Sequence, residues 1–309
     1  MTTVLEAIQA GAKQLTDAGV AFGHGTANAF DEAAWLVLWK AGLPLDSSLE
    51  NPKDNPNSVA NTPIAGELIA SIAAFFIARI KTRKPAAYLT QEAWLQGIPF
   101  YIDERAIVPR SLIAELLAGD TFGSFDDYLG PHTKKVLDLC TGNGSLAVLA
   151  AMTYPDTNVV GADISSEALA VAKINVARHA LQSRISLVES DSWIGLKDEE
   201  NQPLVFDLIL CNPPYVNSAS MAALPAEYLA EPALALAGGT DGMDFIRGLL
   251  QAAPAHMSEH AIMILEIGNE RAFFEAAFPD LEIVWLETSA GVDSVLLITK
   301  AALEDVFTA

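Results

Sequence analysis

The stretch Val136-Leu137-Asp138-Leu139-Cys140-Thr141-Gly142-Asn143-Gly144-Ser145-Leu146-Ala147 decides the fold of this chain. Its apolar start, two closely spaced glycines and apolar continuation predict a strand over 136–139 and a helix over 145–152. Gly142 and Gly144 let the backbone turn tightly into that helix and approach a ligand closely. Outward from this stretch the same alternation continues, with strands expected over 158–162, 185–188, 205–211 and 261–267 and helices over 166–180 and 241–253. Strands that alternate with helices signal an α/β fold with a wound parallel sheet. The end of the chain departs from this. Segments 282–287 and 294–299 are joined by a turn containing Gly291, too short for a parallel crossover, so they should pair antiparallel.

Upstream, residues 1–86 read as a helical domain. Val4, Leu5, Ile8, Ala12 and Leu15 recur at helical spacing, as do Ala33, Ala34, Val37 and Leu38, and 68–83 reads as a further helix. The Pro- and Asn-rich segment 51–58 marks a loop between helices. Residues 87–108 change to short extended pieces around Gln96-Gly97, a connecting hairpin, and Pro109-Arg110-Ser111 is expected to start a helix. The third region, 109–309, holds the alternating α/β pattern.

At 309 residues the chain suffices for two domains and a large core. Its hydrophobic content of 51% raises the question of a membrane, yet no run of about 18 uncharged apolar residues occurs. Segment 68–80 is too short and ends among Arg79, Lys81, Arg83 and Lys84. Met1-Thr2-Thr3-Val4-Leu5-Glu6 lacks the basic start and apolar core of a signal peptide, so a soluble cytoplasmic protein is expected, with no membrane partner. Two cysteines and five scattered histidines build neither a disulfide framework nor a structural zinc site, and no metal is expected. Lys and Arg total 18 against 39 Asp and Glu, a net charge of −21. Such a balance repels phosphate backbones and attracts basic partners. Direct sequence-specific nucleic-acid binding is not expected, although 79–84 forms a local basic patch.

Two constellations carry chemistry. The first is the loop Asp138, Cys140, Thr141, Gly142, Asn143, Gly144, followed about 20 residues later by Asp163 at the end of the next strand. That offset suits a carboxylate accepting hydrogen bonds from two vicinal ribose hydroxyls; the plainer alternative is a helix N-cap. Asp191 ends the third strand, where it or its neighbour Ser192 lies within reach of an adenine amino group. A dinucleotide fingerprint wants a third glycine where this chain has Ala147, which argues against NAD. The second constellation is Asn212-Pro213-Pro214-Tyr215, directly after an apolar strand. The lone pair of an amide or aromatic amino nitrogen is delocalised, so it needs to be positioned before it attacks. An Asn side-chain carbonyl and the carbonyl of the next Pro accept its two N–H hydrogens, and a Tyr ring limits its tilt. Proline suits the turn because its φ is fixed and it lacks an N–H. S-adenosyl-L-methionine fits both constellations.

With these residues the chain resembles the class I S-adenosylmethionine-dependent methyltransferases of the N5-glutamine branch. Phe100-Tyr101, Pro109-Arg110, the segment from Glu231-Pro232 to Gly242, and Leu265-Glu266-Ile267-Gly268 are similar to that family as well. The resemblance implies a Rossmann-like, mostly parallel seven-stranded sheet with an antiparallel final strand. It also implies methyl transfer to a glutamine amide, with Asn212, Pro213, Pro214 and Tyr215 as the catalytic set. Within the family, Ala87-Tyr88-Leu89-Thr90-Gln91-Glu92-Ala93-Trp94 and Pro109-Arg110-Ser111-Leu112 look like the branch that methylates the third protein of the large ribosomal subunit. The alternatives are a release-factor glutamine and a nucleic-acid amino group. Phe100 and Tyr101 either close the substrate pocket or pack in the core. Arg110 either guides the substrate backbone or pairs with Glu231.

Overall fold

The computed structural model describes residues 2–51, 53–119 and 125–307. The chain forms two compact units, Met1–Ala93 with Leu224–Ala230, and Trp94–Ala223 with Glu231–Ala309. The excursion of Leu224–Ala230 into the first unit was not expected from the sequence.

In the first unit lie α1 (Val4–Asp17), α2 (Ala29–Ala41), α3 (Gly66–Thr82) and the short α4 (Ala86–Thr90). α1 begins in a capping box, Thr3 accepting from the Glu6 amide while Glu6 reaches back to the Thr3 amide. α2 is capped by Asn28 and ended by Gly42 in the left-handed conformation. Val4, Ile8 and Leu15 of α1, Leu36 and Val37 of α2, and Ile72 and Phe76 of α3 form its core. Arg79 of α3 is fully buried there. Its Nε donates to Glu32 at 2.8 Å and its second terminal nitrogen to the Ala21 carbonyl at 2.9 Å. A 3.4 Å contact joins it to Glu227, which also accepts from Arg83 at 3.2 Å. These ion pairs fasten 224–230 among the helices.

β1 (Glu92–Leu95) and β2 (Ile98–Tyr101) form a two-stranded hairpin. Gln96 and Gly97 both have positive φ, 48° and 72°, the twist that a two-residue hairpin turn demands. The second unit continues with α5 (Ile113–Ala118), β3 (Lys135–Leu139), α6 (Ser145–Thr153), β4 (Asn158–Asp163), α7 (Ser166–Arg178) and β5 (Ile185–Glu189). Next come β6 (Phe206–Cys211), α8 (Ser218–Ala223), α9 (Asp244–Ala252), β7 (Met257–Glu266), α10 (Arg271–Ala277), β8 (Val284–Thr288), β9 (Gly291–Thr299) and α11 (Lys300–Phe307).

Seven strands make one sheet in the order β5-β4-β3-β6-β7-β9-β8. β9 is antiparallel to both its neighbours, and the β3, β4, β5, β6 and β7 ladders are parallel. Alternate strand residues feed two cores. Val136, Leu208, Leu210 and Ile264 face α5 and α6, whereas Leu137, Leu139, Ile209, Met263 and Leu265 face α9, α10 and α11. Burial on both faces explains why these strands read as continuous apolar runs. The strand order reverses between β3 and β6, which places a crevice at their carboxyl ends.

The helix expected at Pro109-Arg110-Ser111 begins only at Ile113. In the stretch before it the side chains of Arg110 and Ser111 make long-range bonds, to Glu231 and Glu266. α9 likewise starts at Asp244, three residues later than expected, because Asp241 accepts from the Met243 amide ahead of it.

Candidate active site

Leu139 pairs with Ala162 on one side and Cys211 on the other, so the loops after β3, β4 and β6 leave the sheet side by side. The loop after β3 winds through positive φ at Cys140 (62°), Gly142 (53°) and Gly144 (80°). Asp138 and Thr141 brace it from within. Asp138 Oδ2 accepts from the Thr141 hydroxyl at 2.5 Å and from the Ala147 amide at 2.9 Å. Burial pushes the Asp138 carboxyl up to about 7. Asn143 Oδ1 accepts from the Ser145 amide at 3.0 Å. The side chains of Asp138, Thr141 and Asn143 therefore build the loop, while Cys140 and Gly142 keep partial exposure at its surface.

Asp163 closes β4 and ties two loops together. Its Oδ2 accepts from the Gly142 amide at 2.8 Å and its Oδ1 from the Ser165 amide at 2.9 Å. The N-cap of α7 is Ser165, so capping does not explain Asp163. Burial raises its pKa despite these bonds, and the carboxylate retains lone pairs for further donors. Asp191 lies in a turn two residues beyond β5, exposed, with Ser192 at φ 50°. Ser190 shapes that turn, donating to the Ser192 carbonyl at 2.6 Å and accepting from the Gly195 amide at 2.9 Å.

Asn212-Pro213-Pro214-Tyr215 leaves β6 directly beside the glycine loop. Pro213 is buried and Asn212 half-buried, and the Asn212 side-chain amide makes no hydrogen bond among the described residues. Tyr215 is enclosed by glycines. A Cβ added at Gly238 would lie 2.7 Å from the Tyr215 Cα, one at Gly268 would lie 2.5 Å from its ring, and one at Gly242 would strike its carbonyl oxygen. The Ser218 amide donates to the Gly239 carbonyl at 2.8 Å and a bridge joins Val216 to Ala237, so 231–242 forms a wall along the turn. The Tyr215 hydroxyl sits 3.4 Å from Glu266 Oε1. Glu266 Oε2 accepts from the Ser111 hydroxyl at 2.6 Å and the Leu112 amide at 2.9 Å. Burial pushes the Glu266 carboxyl up to about 7 as well.

Of the two readings of Arg110, the ion pair is present. Both its terminal nitrogens reach Glu231 at 2.7 Å, and Glu231 also accepts from the Val108 amide at 3.0 Å. Phe100 is fully buried, tilted against His179 with ring centroids 5.3 Å apart. Tyr101 keeps partial exposure and donates its hydroxyl to Asp103 at 2.8 Å. Cys211 is buried beside Cys140, and burial lifts its thiol pKa. Sequence reasoning assigned no role to Glu266, although an acid inside the apolar run 261–267 is a visible signal. It missed Asn175 of α7, which carries no local signal.

Among the described residues, Asp138 Oδ1 and Asn143 Nδ2 are buried without a partner. At Gly142 an added Cβ would meet Ile107 Cγ2 at 3.6 Å and the Cys140 carbonyl oxygen at 4.0 Å, both ordinary contact distances, so this side of the loop has room. The open side of Gly142 beside the partly exposed Asp163 carboxyl suits a nucleoside with vicinal hydroxyls, and these residues fit S-adenosyl-L-methionine.

The fold and this crevice define a class I methyltransferase that takes its methyl group from S-adenosyl-L-methionine. The family model described as "Methyltransferase small domain" matches residues 124–239. A protein of Bordetella pertussis named ribosomal protein uL3 glutamine methyltransferase is 45% identical over 98% of this chain and 97% of its own length. Proteins of the same name from Burkholderia pseudomallei and Neisseria gonorrhoeae are 46% identical (97% and 95% covered) and 40% identical (98% and 96% covered). The chain belongs to the family of ribosomal protein uL3 glutamine methyltransferases.

Proposed function

We propose that this enzyme methylates the side-chain amide nitrogen, N5, of a glutamine in ribosomal protein uL3, a basic partner met in the cytoplasm. The observation that carries this reading is Asn212. Its half-buried amide is uncommitted at the tip of β6, next to the glycine loop.

S-adenosyl-L-methionine supplies an electrophilic methyl group on a cationic sulfur. Cys140 to Gly144 hold its methionine half, Asp163 accepts from the ribose hydroxyls, and the Asp191-Ser192 turn meets the adenine. The Asn212 side-chain carbonyl and the Pro213 carbonyl accept the two N–H hydrogens of the substrate amide, which turns the nitrogen lone pair towards the methyl. Tyr215 limits the tilt of the amide plane. Methyl transfer from sulfur to nitrogen would leave the nitrogen acidic, and it would lose one proton to water or to one of the Asn212 and Pro213 carbonyls that already accept from it. No strong base is needed; holding the geometry supplies much of the acceleration. The bidentate Arg110–Glu231 pair fixes the wall beside Tyr215.

Asn212→Ala is expected to abolish transfer to uL3 while cofactor affinity, measured by calorimetry, stays near wild type. The assay follows a labelled methyl group into separate uL3, release-factor and RNA fractions, with mass spectrometry locating the glutamine. Retained turnover in the variant, or label in either of the other fractions alone, overturns the reading.

A further inference from the structure

Asn175 of α7 is fully buried and uses its whole side-chain amide on backbone. Its Oδ1 accepts from the Tyr101 amide at 2.7 Å, and its Nδ2 donates to the Tyr101 carbonyl at 2.9 Å and to the Asn143 carbonyl at 2.8 Å. To β2 it behaves as one more strand residue. To the loop after β3 it holds the carbonyl end of the Asn143–Gly144 peptide plane. That plane sits between the positive φ angles of Gly142 and Gly144; its N–H end donates to the Thr141 carbonyl at 2.8 Å, and Asn175 holds its carbonyl end. One turn earlier on the same helix, Ala172 closes the space behind Gly144, where an added Cβ would meet Ala172 Cβ at 3.0 Å. One turn later, a ring nitrogen of His179 bonds the Pro99 carbonyl at 2.9 Å. A single face of α7 thus grips the glycine loop and the strand that carries Tyr101.

We propose that Asn175 is a positioning residue that makes the cofactor loop and β2 one mechanical unit, so that cofactor binding orders the strand ending in Tyr101. This rests on the reading of the 140–144 loop as the cofactor site. The physical basis is shared restraint. A ligand that narrows the motion of the Asn143 carbonyl narrows that of Asn175, and through it both backbone groups of Tyr101. By linkage, whatever orders β2 raises cofactor affinity by the same factor. A buried amide with three satisfied bonds has no alternative partners, which keeps the coupling local.

Two measurements test it. In the wild type, amide hydrogen exchange at 98–101 is expected to slow by several-fold when S-adenosylmethionine is added. Asn175→Asp preserves shape and the acceptor but turns both donor bonds into contacts with carbonyl oxygens. The variant is expected to bind the cofactor at least about ten-fold more weakly, to raise the cofactor KM in step, and to lose the exchange slowing at 98–101, with kcat at saturation within about two-fold of wild type. A purely structural residue would lower thermal stability and leave the affinity of the folded protein unchanged. If the aspartate variant does not fold, the wild-type exchange measurement decides alone. Unchanged exchange at 98–101, or a variant with wild-type affinity, overturns the proposal. Failure of the wild type to bind the cofactor at all overturns the functional reading of the loop, and the proposal with it.

Discussion

Two acids, Asp138 at the end of β3 and Glu266 at the end of β7, are buried at the carboxyl edge, with their carboxyls pushed up to about 7. For Glu266 the cause is loss of solvation, opposed by the bonds from Ser111, Leu112 and Ile113 and by the Tyr215 hydroxyl. The sign follows from where the proton resides. Between about pH 4.5, where an unfolded glutamate ionises, and pH 7, the unfolded chain gives up a proton that the native chain keeps. Stability therefore falls as pH rises through that window and levels off above it. Glu266→Gln removes this titration while keeping the shape and one acceptor. The decline in unfolding free energy between pH 5 and pH 8 is expected to shrink by up to about 3 kcal/mol in the variant. Urea unfolding of both proteins at the two pH values measures it, and an identical decline would show that Glu266 is ionised throughout. The result bears on function because the same carboxylate faces the Tyr215 hydroxyl at 3.4 Å.

At the level of elements, the glycines of the β3–α6 loop separate two roles. Both have positive φ, but an added Cβ at Gly144 would crowd Ala172 at 3.0 Å, whereas at Gly142 it would meet Ile107 and the Cys140 carbonyl only at ordinary contact distances of 3.6 and 4.0 Å. Gly144→Ala is expected to cost about 2–3 kcal/mol in denaturant unfolding, from left-handed strain plus overpacking. Gly142→Ala is expected to cost only about 1 kcal/mol, yet to weaken cofactor binding more per unit of lost stability, because the methyl enters the open side. Calorimetry on both variants tests that crossing of effects; parallel losses would remove the distinction. The strand, two-glycine loop and helix were legible in sequence because each rests on residues a few positions apart. The same holds for the antiparallel end, whose short turn at Gly291 dictates the pairing. The late start of α5, the glycine cage of Tyr215 and the passage of 224–230 into the helical unit were not legible. Each depends on partners far apart in the chain, such as Glu231 for Arg110 and Glu227 for Arg79. The segment 231–242 stood out only by resemblance, and its packing along 215–218 supplies the physical reason for its glycines.

For the whole molecule the governing quantity is the net charge of −21. Charges of one sign in such excess create a field that extends about 30 Å at 0.01 M salt and only about 8 Å at 0.15 M. On the proposed reading, a basic ribosomal protein would be drawn into that field before any specific contact forms, so its rate of encounter would depend on ionic strength; a short neutral peptide bearing the same glutamine would feel little of it. Methylation of the intact protein is therefore expected to lose roughly ten-fold or more in kcat/KM between those two salt concentrations, through the association step. The peptide should change by less than about two-fold, since a neutral substrate is not steered by the long-range field. The comparison divides steering from recognition. Equal salt dependence of the two substrates would place the electrostatics in the pocket, and no dependence for either would leave the acidic surface without a part in catalysis.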